Sequence, residues 1–263
     1  MSNANLPVND LANELLTALR SQSMVQPLSE RYPGITVPDA YAIQQKLTQL
    51  RVESGERVIG KKIGVTSRPV MDMLGVRQPD FGMLTNTMVL AQGESLSLST
   101  MIQPKAEGEI AFVMKDRLQG PGTTNADVLR DVEGVMACFE IVDSRVEDWR
   151  IKIEDTVADN ASCGMFILGD RMVSPSELDL FSIGMVLEKN NAIVGTGAGA
   201  ASMGSPVAAV AWLANTLGKL GMALEAGDVV LSGALSAMVP VAAGDQFRMT
   251  LAGVGGCAFN AVE

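Results

Sequence analysis

Two stretches near the N-terminus carry apolar residues at the spacing of an amphipathic helix. The first covers about residues 9–24, where leucines recur every three or four positions. The second begins at Pro38 and Asp39, a proline and an acid that both suit a first helical turn, and ends near residue 53. We expect residues 1–57 to form an N-terminal helical portion that packs on the rest of the protein.

From residue 58 the pattern changes to short apolar runs separated by Gly, Pro, Asn and Asp, which is typical of strands and turns. Asn190 and Asn191 separate two such runs and predict a hairpin. Further helices are predicted over about 125–132 and 206–221. Because strands outnumber helices without regular βα alternation, we predict an α+β fold with a mixed or antiparallel sheet, and one unit over 58–263. The predicted strands are 58–65, 87–90, 107–114, 135–142, 163–168, 184–189, 192–195, 228–232 and 246–251.

One predicted strand, residues 107–114, is apolar on both faces yet carries Glu107 and Glu109. Side chains two positions apart in an extended chain lie on the same face. A third carboxylate, Glu140, lies in another short apolar run. Buried carboxylates a few Å apart repel each other unless a cation lies between them. The three Glu therefore indicate a hard-oxygen site for Mg²⁺ or Mn²⁺. The alternative is an ordinary ion network with Lys105, Arg145 or other cations.

The composition removes several classes of function. The chain has no histidine, which excludes Ser-His-Asp and Cys-His catalysis, His-bearing zinc sites and a His general base. Acid–base chemistry must then come from Asp, Glu, Lys, Tyr or metal-bound water. A net charge of −10 argues against binding to nucleic acid or an anionic membrane.

Cellular location is predicted from three further observations. The three cysteines are widely spaced, which fits a reducing compartment. Residues 1–5 have neither the basic nor the apolar segment of a signal peptide. No apolar run reaches the roughly 20 residues that a transmembrane helix needs. We expect a cytoplasmic protein.

Two adjacent lysines and an aspartate are weaker candidates. Lys61 and Lys62 lie on opposite faces of a predicted strand, so one of them should point inward. We expect Lys61 to be a solvated surface residue and Lys62 to be able to hold a substrate oxygen or act as an acid. Asp80 lies in the sequence Gln-Pro-Asp-Phe-Gly, whose residue types predict a turn, so spacing alone does not make Asp80 a catalyst.

Two loop segments leave their roles open. Residues 157–164, which include Ser162, form a polar, small-residue segment that suits a tight turn and a ligand contact equally well. The glycine-rich residues 195–200 lack the strand-then-helix context of a dinucleotide-binding loop. We expect the glycine-rich segment to be a structural loop.

Six motifs follow one another along nearly the whole chain, namely residues 60–64 (GKKIG), 78–82 (QPDFG), 103–109 (QPKAEGE), Glu140 with 143–145 (DSR), 159–162 (DNAS) and 227–233 (GDVVLSG). Together and in this order, they resemble the fumarylacetoacetate hydrolase superfamily. More closely, they are similar to the 2-hydroxypenta-2,4-dienoate (2-keto-4-pentenoate) hydratases of aromatic meta-cleavage pathways.

The resemblance implies a mixed β-sheet roll with surrounding helices, and a homo-oligomer. It implies Mg²⁺ or Mn²⁺ on the same three Glu, with Lys62, Asp80 and Ser162 in the active site. Hydrolases of the superfamily activate water with a histidine, and this chain has none. A hydro-lyase is therefore favoured over C–C bond hydrolysis.

The resemblance also leaves alternatives. The 4-oxalocrotonate decarboxylases of the same pathway share the metal-binding Glu set and the Lys, but they tend to lack the Asp of the Pro-Asp-Phe-Gly sequence. Asp80 therefore favours water addition. A non-catalytic partner subunit is the other alternative, and a hydratase of this type can associate with the decarboxylase. The substituent preferred at substrate C5 and the number of subunits stay open.

Overall fold

The computed structural model describes residues 6–263, so the five residues on which the signal-peptide prediction depends lie outside the described range. The helices within it are α1 Val8–Ser21, α2 Leu28–Arg31, α3 Val37–Glu53, α4 Arg68–Leu74, α5 Asn125–Asp131, α6 Ile153–Ala158 and α7 Pro206–Lys219. None of these helices is long and apolar enough to span a bilayer. The strands are β1 Val58–Gly64, β2 Asp80–Thr85, β3 Val89–Leu90, β4 Ser95–Ser97, β5 Lys105–Met114, β6 Val132–Val142, β7 Cys163–Leu168, β8 Gly184–Lys189, β9 Ala192–Ala198, β10 Val229–Leu231, β11 Val239–Pro240, β12 Gln246–Leu251 and β13 Gly255–Val262.

The two predicted N-terminal helices are confirmed as α1 and α3. A reciprocal capping box, in which Thr36 and Asp39 bond each other's backbone N–H, begins α3. The leucines of α1 pack with Ile43 and Leu47 of α3 in a separate apolar cluster. The same cluster includes buried residues of the segment that ends in α6, so the N-terminal helices rest directly on the chain that leads to residues 160–162.

The larger sheet has the strand order β2-β1-β10-β5-β6-β7-β3, and β11 adds to one end of β5. The β1–β10 and β3–β7 pairs are parallel, whereas β1–β2, β10–β5, β5–β6 and β6–β7 are antiparallel. The central strands β5 and β6 are buried along most of their length, as expected for strands covered on both faces.

A second sheet, with the order β4-β13-β12-β8-β9, packs against the first. Phe139 of β6 contacts Phe259 of β13 edge to face, with 5.1 Å between ring centroids, and Phe259 stacks on Phe247 of β12. One continuous apolar core thus joins the two sheets with α7. The predicted α+β class with mixed strand pairing is confirmed.

Several local predictions are wrong. The turn expected at residues 78–82 is the start of strand β2, and β13 was not predicted. The glycine-rich residues 195–200 lie mostly in β9 rather than in a loop. Glycine is needed at position 197 because the β9 backbone passes close to the Leu235 carbonyl there. Lys61 is buried, not solvated, and its ammonium lies 2.5 Å from Asp228 Oδ2 on the other face of β1 from Lys62. The predicted hairpin at Asn190 and Asn191 is confirmed, with φ of 53° and 63°.

Candidate active site

Strand register brings the three glutamates together. Glu107 of β5 lies directly opposite Glu140 of β6, and Glu109 follows two positions later on the same face of β5. The opposite face of β5 carries Ala106 and Ile110 into the main core. One carboxylate oxygen from each Glu lies within 4.8 Å of the other two. The sequence-based expectation that Glu107 and Glu109 share a face agrees with the structure.

Three buried carboxylate oxygens in this cluster accept no hydrogen bond from the described residues. The Gly233 N–H donates to Glu109 Oε2 at 2.8 Å. Glu109 Oε1 and both oxygens of Glu140 accept no hydrogen bond from any group in residues 6–263. Buried carboxylates normally have such partners, so these oxygens indicate a missing positive ligand. Three converging carboxylates are a hard-oxygen donor set that fits a divalent cation with coordination positions left for other ligands.

Without a cation, burial and repulsion from neighbouring carboxylates favour the protonated forms of Glu107 and Glu109. Burial and the neighbouring Glu140 carboxylate raise the pKa of Glu107 to about 7. The same two causes raise the pKa of Glu109 well above its ordinary value. The site thus binds protons in the pH range where a bound cation would keep both groups ionised.

Lys62 provides the positive charge nearest to the three carboxylates. Its Cα pairs with Leu231 of β10, which pairs with Ala111 of β5, so Lys62 shares the face of Glu109. The Lys62 ammonium lies 3.1 Å from Glu140 Oε1 and donates to the Ala161 carbonyl at 2.9 Å. Burial alone would lower the Lys62 pKa, but the surrounding carboxylates outweigh it and the pKa is raised. Lys62 therefore stays a cation.

Asp80 reaches the site through the β1–β2 register, in which it pairs with Gly64. A Cβ atom at position 64 would lie 2.3 Å from Asp80 Oδ1 and 3.2 Å from Lys62 Nζ, so only glycine leaves room for the carboxylate and the ammonium. Burial raises the pKa of Asp80 to about 6, and the Lys62 ammonium opposes this increase. Asp80 is therefore a buried acid that can exchange a proton near neutral pH.

Ser162 lies in a left-handed turn. Asn160, Ala161 and Ser162 have φ of 54°, 52° and 52°, a conformation that costs a non-glycine residue roughly 1–3 kcal/mol. The Asn160 amide holds the turn against β2, where it accepts from Met83 N at 2.7 Å and donates to Met83 O at 2.9 Å. Ser162 Oγ lies 3.2 Å from Thr156 Oγ1. The turn points the Ala161 carbonyl at Lys62 and the Ser162 side chain into the cavity.

Arg145, a conceivable counter-ion for the glutamates, is bound elsewhere. Its backbone N–H donates to Asp159 Oδ2 at 2.9 Å, and its guanidinium bonds Asp159 Oδ1 and O and the carbonyls of Asp143 and Cys163. Lys105 lies over the Trp149 ring, 4.0 Å from its centroid. Of the cations weighed from the sequence, only Lys62 contacts a glutamate of the cluster, and it does so at Glu140 alone.

These residues surround a cavity of about 440 Å³. Lys62, Asp80, Glu107 and Ser162 line it, and Glu109 and Glu140 adjoin Glu107. The structure thus brings all six predicted site residues into one region. Sequence reasoning missed the contributions of Gly64, Asn160 and helix α4, because they depend on strand register and on backbone conformation rather than on chemical character.

The sequence also matches a known protein family. Residues 51–262 match the family described as fumarylacetoacetate (FAA) hydrolase C-terminal. The chain belongs to this family. The predicted β-roll with surrounding helices is accordingly confirmed, and so is the expected resemblance to dienoate hydratases.

Among the family's members, this chain is similar to a 2-hydroxyhexa-2,4-dienoate hydratase of Comamonas testosteroni, with 55% identity over 251 residues, 95% of each chain. It is 58% identical to a 2-hydroxypent-2,4-dienoate hydratase of Pseudomonas putida over 217 residues, which cover 82% of this chain and 98% of the relative. A solved 4-oxalocrotonate decarboxylase from Pseudomonas putida, complexed with magnesium and adipate, superposes with a TM-score of 0.96 at 35% identity. That superposition covers 99% of this chain and 100% of the decarboxylase.

Proposed function

We propose that this protein is a divalent-metal-dependent hydratase of aromatic meta-cleavage catabolism. It adds water to 2-hydroxypenta-2,4-dienoate and yields 4-hydroxy-2-oxopentanoate. The observation that carries the proposal is the set of buried Glu109 and Glu140 oxygens that accept no hydrogen bond from the described residues. They adjoin Glu107, which lines the cavity together with Lys62 and Asp80. Relatives with more than half of their residues identical carry hydratase names, which supports water addition over decarboxylation.

Glu107, Glu109 and Glu140 would hold the cation, for which Mg²⁺ or Mn²⁺ fits an all-carboxylate donor set. When bound, the cation supplies Lewis acidity and a template for the substrate carboxylate and the 2-oxygen. The magnesium and calcium in two structures of the related decarboxylase support a divalent ion in this family.

The reaction requires two proton movements and one water addition. Protonation at C5 turns the dienol into a 2-oxo-3-enoate, whose C4 is electrophilic. Water then adds at C4 and a proton is delivered to C3. Asp80, with its pKa raised to about 6 by burial, can accept the water proton and return it to carbon. The Lys62 ammonium stabilises the charge that develops on the 2-oxygen, and the Ser162 hydroxyl donates a hydrogen bond to the substrate.

The direct test follows the loss of dienol absorbance in the purified protein, with product analysis, before and after EDTA treatment. We expect hydration only with Mg²⁺ or Mn²⁺. Asp80→Asn should lower turnover by about a hundredfold or more, because a positioned acid–base group contributes that much, while Mg²⁺ affinity changes little. Full activity in EDTA would contradict the metal assignment, and wild-type activity of Asp80→Asn would remove Asp80 from the mechanism.

Decarboxylation of 4-oxalocrotonate is the second candidate, favoured by the close superposition on a solved decarboxylase. Release of CO₂ from the dicarboxylate, without hydration of the dienol, would establish it. A catalytically inactive partner subunit would turn over neither substrate. A homo-oligomer, a complex with the decarboxylase and a cytoplasmic location stay predictions, as does the division into residues 1–57 and 58–263.

A further inference from the structure

The charged groups of the cavity are concentrated at one end. Lys62, Asp80 and Glu107 are the only charged residues among its described lining. The lining contains a larger number of aliphatic and aromatic side chains, namely Ile63, Val65, Val70, Met73, Leu74, Val142, Trp149, Ile151, Leu235 and Met238. The cavity thus has a polar end, where the reacting atoms of the proposed hydratase would lie, and an apolar remainder.

Helix α4 provides much of this apolar remainder. It begins four residues after Gly64, so the chain runs from the charged end of the cavity directly into α4. Val70, Met73 and Leu74 of α4 line the cavity, yet no residue of this helix is buried, and Met73 is 70% exposed. An apolar group bound beside α4 would remove this surface from water, which is favourable in proportion to the area covered.

The cations near this apolar part face other partners. Arg68 and Arg77 both bond Asp72 and are largely exposed, and neither lines the cavity. Lys105 lies behind Trp149, with its ammonium over the indole ring, and it is Trp149 that lines the cavity. A second carboxylate placed beside α4 would therefore have no counter-ion at this end of the described lining.

We infer that α4 makes the enzyme selective for an apolar substituent at C5 of the 2-hydroxy-2,4-dienoate and against a carboxylate there, with Val70 and Met73 as specificity-determining residues. This inference rests on the proposed hydratase function. The cavity volume of about 440 Å³ leaves room for such a substituent beyond the five-carbon acid. Each added methylene should raise kcat/KM about fourfold until the apolar part is filled.

The first experiment measures hydration by the Mg²⁺-loaded full-length protein. Its substrates are the dienoates with hydrogen, methyl or ethyl at C5, and the dicarboxylate 2-hydroxyhexa-2,4-dienedioate. We expect kcat/KM to rise from hydrogen to ethyl and to be at least about a hundredfold lower for the dicarboxylate than for the methyl compound. Hydration of all substrates at equal efficiency would overturn the specificity and leave the proposed function intact. Hydration of none of the dienoates would overturn both.

The second experiment changes the helix. Val70→Arg places a cation beside the C5 position on a partly exposed residue, so the fold should be kept. We expect the dicarboxylate-to-methyl ratio of kcat/KM to rise at least tenfold. The matched control is Val52→Arg on the exposed side of α3, which should leave the ratio unchanged. An unchanged ratio in Val70→Arg would overturn the role of α4.

A binding measurement that needs no turnover completes the test. 2-Oxohexanoate and 2-oxoadipate differ only in a terminal methyl or carboxylate, and both present the same 2-oxo acid end. In Mg²⁺-loaded wild-type protein, 2-oxohexanoate should raise the melting temperature more than 2-oxoadipate does at equal concentration, and Val70→Arg should reverse this order. Equal shifts with both acids in the wild type would contradict the inference.

Discussion

Arg145 and Glu140 lie near each other in the sequence, and each belongs to a buried group of charged side chains. The two groups differ in how completely their polar atoms are hydrogen-bonded. Around Arg145, the guanidinium and the Asp159 carboxylate bond each other and nearby backbone groups. Around Glu140, Lys62 is the one cation in contact, and carboxylate oxygens of Glu109 and Glu140 have no hydrogen-bond donor in the described part of the chain. Both groups are almost fully buried, so burial alone does not distinguish them.

The difference separates a structural role from a ligand-binding one. A buried ion pair whose polar atoms are all hydrogen-bonded requires no additional ligand. Removing one partner of the pair leaves the other charge buried and uncompensated. A buried acid with free lone pairs is costly unless something else binds it. We therefore interpret Arg145 and Asp159 as the support of the 160–162 turn, and the glutamates as the place where a cation is required.

The largest expected effect comes from Glu140→Gln. Replacing one glutamate by its neutral isostere should remove cation binding and lower hydratase turnover by about a thousandfold or more, since bound metal supplies several kcal/mol of transition-state stabilisation. Glu140→Gln also leaves Lys62 without its ion-pair partner, so the matched variant is Glu109→Gln, whose carboxylate forms no ion pair with Lys62. Both variants should lose Mg²⁺ binding, and Glu140→Gln should lose more metal-free stability than Glu109→Gln. Activity assays, Mg²⁺ titration calorimetry and melting curves check this, and Mg²⁺ binding retained in both variants would contradict the metal assignment.

The converse change is Arg145→Leu. It leaves Asp159 buried and without its partner, so we expect a loss of roughly 3–5 kcal/mol in the free energy of unfolding. Urea denaturation in the absence of metal measures it. The control is Arg150→Leu, whose ion pairs with Glu30 and Glu147 are exposed, and which should change stability by less than about 1 kcal/mol. Equal losses of stability in the two variants would mean that the buried Arg145–Asp159 pair has no special structural role.

Metal affinity should depend on pH. Because burial raises the pKa of Glu107 to about 7 in the metal-free protein, a cation must displace a proton below that pH. The pKa of Glu109 is raised as well, so we expect Mg²⁺ affinity to fall by up to about tenfold per pH unit for each proton displaced between pH 7 and 5.5. A raised carboxyl pKa means that the folded protein binds this proton more tightly than the unfolded chain does. The free energy of unfolding of the metal-free protein should therefore decline as pH rises from about 4.5 to 7, and Mg²⁺ should reverse this decline. Calorimetry in two buffers of different ionisation enthalpy would measure the released proton, and no proton release at pH 6 would contradict the prediction.

The smallest expected effect is that of Ala161→Gly. Ala161 has φ of 52°, so glycine relieves backbone strain, and stability should rise by about 0.5–1 kcal/mol. Turnover should fall severalfold, because the carbonyl that orients Lys62 becomes less fixed. The control Ala158→Gly lies in helix α6, where glycine should destabilise by roughly 1 kcal/mol. A stability loss in both variants would show that the turn is not strained.

The sequence predicts those parts of the site that depend on local periodicity. Glu107 and Glu109 lie two residues apart in an apolar strand, and this spacing alone places them on one face. Their meeting with Glu140 also needs the register of two strands joined by a long connection, which single-sequence patterns do not contain. Asp80 illustrates the limit, since Pro-Asp and Gly predict a turn, whereas tertiary pairing with β1 makes the segment a strand.

Lys61 shows a different reason for failure. Alternation predicts that Lys61 and Lys62 face opposite sides of β1, and this is what the structure has. The assumption that one side is solvent was wrong, because Asp228 covers it and pairs with Lys61. Patterns of side-chain direction were therefore predictable, whereas what lies on each side depends on distant segments.

Position 64 has a consequence for how mutational scans of this enzyme should be interpreted. A scan would mark Gly64 as intolerant of replacement, alanine included, since even a methyl group would overlap the Asp80 carboxylate. Such a result usually suggests a participant in the chemistry, yet this residue offers no functional group. Gly64 contributes only the absence of a side chain, which leaves room for the Asp80 carboxylate. A replacement at position 64 would reduce activity by displacing Asp80.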